Sequence, residues 1–290
     1  MIWTMHSGFH VYRNSLTEPV EERLPSMTEG GRSALSASGR WIALVDHWLA
    51  SVDVSVFDAQ TGERVYGFSD NGGHHVSCVE FSPDEQMLFQ ARANRGYIHN
   101  LAGSAETVRI EMTRAGVGLH IGGAAWSPDS GSIAIVAGSR IVVYDTAGTE
   151  LRSWDFPNEN NAQRRGLSIA WSPDGQWLAC GCANPQEVVL FDAETGDVLK
   201  RLSDFPEIGN GIYSVAWSPG GERLASWSND TRRVIVWEPA TGEILFDRHG
   251  VANGVGFADD GTLVASVLDG RVIRVDLTRG EILDETPTTA

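Results

Sequence analysis

Short apolar runs separated by turn-forming residues set the rhythm of this chain. From Ile212 they read IYSVAWS, then PGGE; RLASWS, then NDTR; VIVWE, then PATGE; and finally ILFDR. Runs rich in Val, Ile, Trp and Phe, bounded by Pro, Gly, Asn and Asp, predict four short strands joined by tight turns. The stretch from Ser214 to Glu243, SVAWSPGGERLASWSNDTRRVIVWEPATGE, follows SIAWSPDGQWLACGCANPQEVVLFDAETGD, Ser168 to Asp197, almost position for position. An apolar run ending in a Ser-Pro-Asp-Gly-like turn recurs at Ser36–Gly39, Ser82–Glu85, Ser127–Ser130, Ser172–Gly175, Ser218–Gly221 and Ala258–Gly261, at intervals of 46, 45, 45, 46 and 40 residues. Self-similarity at such a period is the mark of a repeat architecture, each repeat being one supersecondary unit.

The third run of each unit lacks in/out alternation: VIVW at Val234–Trp237, VVLF at Val188–Phe191, IVVY at Ile141–Tyr144. A strand that is apolar on both sides needs both faces covered. A four-stranded sheet flanked by copies of itself meets that need, and sheets packed side by side about an axis form a β-propeller. The expectation is an all-β protein.

The units resemble the WD40 repeat family along essentially the whole chain. The resemblance rests on AWSPDG (Ala170–Gly175), LASWSND (Leu224–Asp230), VIVWE (Val234–Glu238) and the Thr-Gly turns at Thr61, Thr195 and Thr241. The dipeptide closing the third strand is degenerate: Phe57-Asp58, Tyr144-Asp145, Phe191-Asp192, Trp237-Glu238 and Val275-Asp276, with His99-Asn100 departing furthest. The resemblance implies a His, Ser/Thr, Asp, Trp hydrogen-bond set tying loops to the sheet. Only pieces of it survive: Ser228, Asp230 and Trp237 in one blade, and His249, Ser266 and Asp269 in the next. Six complete blades are expected at 31–75, 76–120, 121–166, 167–211, 212–250 and 251–290. Residues 1–30 supply three further strands, making a seven-bladed ring with a three-stranded closing blade; a six-bladed ring with an N-terminal appendage is the alternative.

Composition narrows the function. The chain has 290 residues, 42% hydrophobic and 21% charged, with no apolar run approaching a membrane span. Its start, MIWTMHSGFHVYR, does not read as a secretory signal. The formal charge is −16, which argues against phosphate-dominated nucleic-acid binding. Lys200 is the only lysine among 22 basic residues, a bias expected of a GC-rich bacterial genome. Three cysteines, Cys78, Cys180 and Cys182, fit a reducing, cytoplasmic setting better than a disulfide framework. Cys180 and Cys182 read as buried small residues.

In an up-and-down sheet the loops alternate between two ends. The Ser-Pro-Asp-Gly and Thr-Gly turns share one end and collect carboxylates such as Asp129, Asp174, Glu194, Glu243 and Asp260. The other end collects Arg92, Arg95, Arg114, Arg140, Arg164, Arg165, Arg232, Arg233, Arg248 and Arg271. Arginine offers a planar fork of donors and is enriched at binding hot spots. These ten are the candidate contacts for an acidic peptide or protein, with the loop FPNENNAQRRG (Phe156–Gly166) the leading contact segment. No GxxxxGK[ST], HExxH or GxSxG motif occurs, so no catalytic residue, metal or cofactor is assigned. His74-His75 reads as structural. The expectation is a monomeric, non-catalytic interaction scaffold that binds neither nucleic acid nor membrane. The competing reading is a ligand-binding or hydrolytic propeller with a small-molecule site in a central channel.

Overall fold

The computed structural model describes residues 2–3, 12–13, 32–48, 51–70, 76–102, 107–114, 117–156, 164–206, 210–267 and 272–286. No helix occurs among them. Six four-stranded antiparallel sheets follow one another, each with its strands in chain order. The first comprises Arg32–Leu35, Trp41–Trp48, Ser51–Asp58 and Arg64–Asp70. The second comprises Val76–Phe81, Met87–Arg92, Arg95–Asn100 and Val108–Glu111. The third comprises Ile121–Trp126, Ser132–Ala137, Arg140–Asp145 and Glu150–Asp155. The fourth comprises Arg165–Trp171, Trp177–Ala183, Val188–Asp192 and Val198–Leu202. The fifth comprises Ile212–Trp217, Leu224–Ser228, Arg233–Trp237 and Ile244–His249. The sixth comprises Val251–Asp259, Thr262–Val267, Val272–Asp276 and Glu281–Thr286.

The chain divides into two compact units, Met1–Ile133 with Tyr144–Thr149, and Ala134–Val143 with Glu150–Ala290. In the second unit the unbroken apolar third strands show why they need no alternation. Ile235 and Trp237 of the fifth sheet pack with Val188, Leu190 and Leu202 of the fourth. Their neighbours Val234 and Val236 point the other way, into a cluster with Leu263, Ala265, Ile273 and Val275 of the sixth. One strand thus fills two cores, and each side chain so buried is worth roughly 1.5–3 kcal/mol. In the first unit Val54 and Val56 of the first sheet pack in the same way with Val79, Phe81 and Leu88 of the second. Successive first strands are also stitched by indoles: Trp126 Nε1 donates to the Glu80 carbonyl at 3.2 Å, and Trp217 Nε1 to the Ala170 carbonyl at 3.2 Å.

Two two-stranded sheets accompany these six. Between the second and third sheets lies a small hairpin, Thr113–Arg114 paired with Val117–Gly118. At the N-terminus, Ile2–Trp3 pairs with Tyr12–Arg13. The rest of the expected closing blade lies outside the described residues.

Candidate functional site

The two ends of each sheet are built from different chemistry. At the Ser-Pro-Asp-Gly end a buried serine organises the turn. The Ser172 hydroxyl accepts the Trp177 N–H at 2.9 Å and donates to Asp174 Oδ1 at 2.6 Å, while Gly175 N–H returns to the Ser172 carbonyl at 2.9 Å. Ser82 and Ser127 repeat all of this, and Ser36 and Ser218 repeat the acceptance of the N–H five residues on. The turn closes through a residue with positive φ, Gly39, Glu85, Ser130, Gly175 or Gly221, and glycine adopts that conformation without strain. At the Thr-Gly turns the last residue of the third strand caps the loop. Asp192 Oδ1 accepts the N–H groups of Glu194 and Thr195 at 2.9 and 2.8 Å. Those bonds, the Thr195 N–H first, hold the Asp192 carboxyl below the usual range, and the Thr61 N–H does the same for Asp58. The Ser127 hydroxyl lowers Asp129, and the Thr278 hydroxyl lowers Asp276. Much of the acidity at this end is therefore engaged in its own turns.

The arginines at the opposite end are not one population. Arg92 is 2% exposed, its Nη2 3.2 Å from the Tyr97 hydroxyl and its guanidinium over that ring. Arg164 is 8% exposed and bonds Glu187 Oε1 through Nε at 2.5 Å; Arg201 reaches the same oxygen at 3.0 Å. The expectation that Arg92 and Arg164 face a partner is thereby corrected: both are committed to the interior. Arg95 pairs with Glu111 at 3.6 Å, and Arg140 with Glu150 at 3.2 Å and the Ser153 hydroxyl at 2.6 Å. Arg233 grips Asp247 through Nε and Nη2 at 2.7 and 2.6 Å, reaches Asp204 at 2.7 Å and covers the Phe205 ring. The Asp247 bonds raise the Arg233 pKa further, and Arg233 in turn holds the Asp247 carboxyl low. Arg165 and Arg232 are exposed and make no ion pair among the described residues; Arg248 is half-buried on the outer strand. The Arg114 side chain and Arg271 lie outside the described residues, as do His74-His75 and most of the 156–166 loop.

The tie expected in the fifth sheet takes a different form. Trp237 Nε1 donates to Ser226, not Ser228, at 2.8 Å. Ser228 instead donates to Gln186 Oε1 of the fourth sheet at 2.7 Å. Asp230 accepts the backbone N–H and side-chain amide of Asn210. His249, assigned to the sixth unit, lies 3.4 Å from the Thr231 carbonyl and so serves the fifth. The Ser266 side chain and Asp269 lie outside the described residues. Cys180 and Cys182 are fully buried, and burial pushes the Cys180 thiol above its ordinary range.

One surface residue escaped the sequence reading. The first strands of the second, fourth and fifth sheets each carry a bulge, so one residue slips out of the ladder: Ser77, Leu167 and Tyr213. Leu167 is 9% exposed, whereas Tyr213 is 45% exposed. Aligning the repeats through Ser168 and Ser214 reveals the aromatic substitution, but its exposure follows only from the bulge.

The profile of the anaphase-promoting complex subunit 4 WD40 domain matches residues 124–208. Human anaphase-promoting complex subunit 4 is 32% identical over 78 residues, covering 27% of this chain and 10% of that protein. The mouse protein is 30% identical over 79 residues, with the same shares. The chain thus spans about a tenth of the length of these curated relatives. Among solved structures, the β-propeller domain of Cps50 (Swd1) from Myceliophteria thermophila aligns with a TM-score of 0.72 at 13% identity, over 91% of this chain and 88% of that one. Residues 124–208 are thus similar to a WD40 domain, and the chain shares the β-propeller fold.

Proposed function

We propose that this chain is a non-catalytic protein-interaction scaffold, and that it binds an acidic peptide or protein segment at the end of the fourth and fifth sheets opposite the Ser-Pro-Asp-Gly turns. The observation carrying this reading is the pair Arg165 and Arg232, exposed and outside any ion pair among the described residues, in a region where Arg164, Arg201 and Arg233 are spent on internal bonds. Charge-assisted bonds from guanidinium to carboxylate are about twice as strong as neutral ones. Arg248 lends secondary charge. The WD40-type repeats support the scaffold reading, because such propellers typically mediate protein–protein contacts. The same reading has the chain acting as a monomer in a reducing, cytoplasmic setting.

The test is a double charge reversal, Arg165→Glu with Arg232→Glu, assayed for retention of acidic peptides on immobilised protein. Retention should fall to background with thermal unfolding nearly unchanged, since both side chains are exposed. Undiminished retention would reject the assigned surface. Arg164 is a poor choice for this experiment, because it is buried and removing it takes away one of the two guanidiniums bonded to the buried Glu187.

A further inference from the structure

We infer that Tyr213 is the apolar anchor of this surface, and that the segment it receives carries a hydrophobic side chain between acidic residues. The inference rests on the acidic-partner reading above and deepens it.

The placement follows from contacts around Gly211. Its φ is +120°, and a Cβ there would lie 2.5 Å from Leu167 Cδ1, 2.8 Å from Ala183 Cβ and 3.0 Å from the Cys182 carbonyl. The backbone entering the fifth sheet is therefore pressed onto the end of the fourth. Ser168 secures it further by donating to the Ile212 carbonyl at 3.0 Å. Arg165 is the ladder partner of Ala183, which puts it on one side of this segment. On the other side Asp230 binds Asn210, and Arg232 lies two residues beyond Asp230 in the same turn. Tyr213 follows two residues after Gly211, at the same end of the fifth sheet as the turn that carries Arg232.

The side chain is also unusual in its exposure. The other exposed large hydrophobics among the described residues, Val65, Leu151, Leu199, Ile244, Leu245 and Leu283, all lie on fourth strands. Tyr213 alone lies on a first strand, at the loop end. Its ring meets the buried Trp227 edge-on, centroids 6.5 Å apart, while the residue stays 45% exposed. Tyrosine has only two side-chain torsions and loses little conformational entropy on binding, and tyrosine with arginine is the composition of interface hot spots. Arg165 and Arg232, exposed and outside any ion pair among the described residues, favour carboxylates at this end of the two sheets by charge complementarity.

The experiment uses the full chain and fluorescein-labelled synthetic peptides, with anisotropy as the readout at low and moderate salt. The parent peptide has one leucine between two pairs of glutamates. Serine replaces the leucine in one control, glutamine replaces the glutamates in a second, and phosphoserines replace them in a third. The parent should bind more tightly than the serine and glutamine controls. Tyr213→Ser should weaken the parent about tenfold and erase the preference for leucine over serine, while the salt dependence stays. Tyr213→Phe should bind as wild type. Arg165→Gln with Arg232→Gln should lose both binding and salt dependence. No binding of the parent peptide, equal binding of the leucine and serine peptides, or an unaffected Tyr213→Ser variant would overturn the inference. If the double arginine variant is still defective in those last two cases, the arginine surface stands without the anchor. If it binds like wild type, the underlying reading falls as well. Binding of the phosphoserine peptide alone would make this a phosphate site and overturn the proposal.

Discussion

Glu187 shows how much of an apparently surface-seeking charge is structural. Its carboxylate is 4% exposed and holds Arg164 and Arg201 at once. Removing one member of a buried ion set leaves the other charge without compensation, at a cost of about 3–5 kcal/mol. Glu187→Ala should therefore lower the urea midpoint far more than Glu194→Ala, whose carboxylate is exposed and only 3.5 Å-paired with Arg152. Equal midpoints for the two variants would show that the triad contributes little. Ser172→Ala removes an acceptor for the Trp177 N–H and a donor to Asp174, and the expected loss is about 1–2 kcal/mol. The turn serines were legible in the sequence because Ser-Pro-Asp-Gly demands a local geometry. The partner of Trp237 was not. Ser226 and Ser228 lie on the same side of one strand, and spacing cannot choose between them. The register can: Leu224 faces Trp237, which brings Ser226 within diagonal reach of the indole.

At the level of strands and sheets, the departure of His99-Asn100 from the repeat has a structural counterpart. His99 occupies the aromatic slot of a third strand and is fully buried. Its Nε2 lies 3.3 Å from Gln90 Oε1 and its Nδ1 3.2 Å from the Tyr66 hydroxyl, which bridges the first and second sheets. The Thr107 hydroxyl lies 3.4 Å from the same Nδ1, and Phe68 and Tyr97 enclose the ring. Burial pushes its pKa from the ordinary 6.5 down to about 4. The folded state therefore favours neutral imidazole, while the unfolded chain takes up its proton near pH 6.5. Stability contributed by this site is complete above pH 6.5, falls as the pH drops towards 4, and levels off below; the total is about 3 kcal/mol. Urea midpoints for wild type and His99→Gln, compared between pH 7 and pH 4, should converge as the pH falls. A constant gap would contradict the burial argument. The four-strand units were readable because both-sided apolar runs leave few alternatives. The Thr113–Gly118 hairpin was not, since two-residue strands carry no periodicity. The bulge at Tyr213 was equally silent, because a slipped residue reads like any other strand position.

For the molecule as a whole, charge opposes compactness. The formal charge is −16 and the isoelectric point about 4.8. Most of the ion pairs have at least one exposed partner, and such pairs are worth little each. Self-repulsion among the excess carboxylates is the larger long-range effect, and salt screens it with a Debye length of about 10 Å at 0.1 M. Moderate sodium chloride should therefore raise the thermal midpoint at pH 7, and the gain should shrink near the isoelectric point, where little repulsion remains. A second process operates in stronger acid. Asp58, Asp129, Asp192, Asp247 and Asp276 are all held below the ordinary carboxyl range by bonds present only in the fold. Their stabilisation is complete above the unfolded value near 3.9 and is lost as the pH falls through the lower folded values. Calorimetry from pH 7 to pH 2 should thus separate the two effects. Salt should help at neutral pH, whereas below about pH 4 the midpoint should drop steeply as turn after turn loses the carboxylate that closes it. A midpoint that falls on adding salt at pH 7 would mean that attractive pairs outweigh the repulsion. An acid limb that survives in a chain with these five aspartates changed to asparagine would place its origin outside the turns and the Arg233–Asp247 pair.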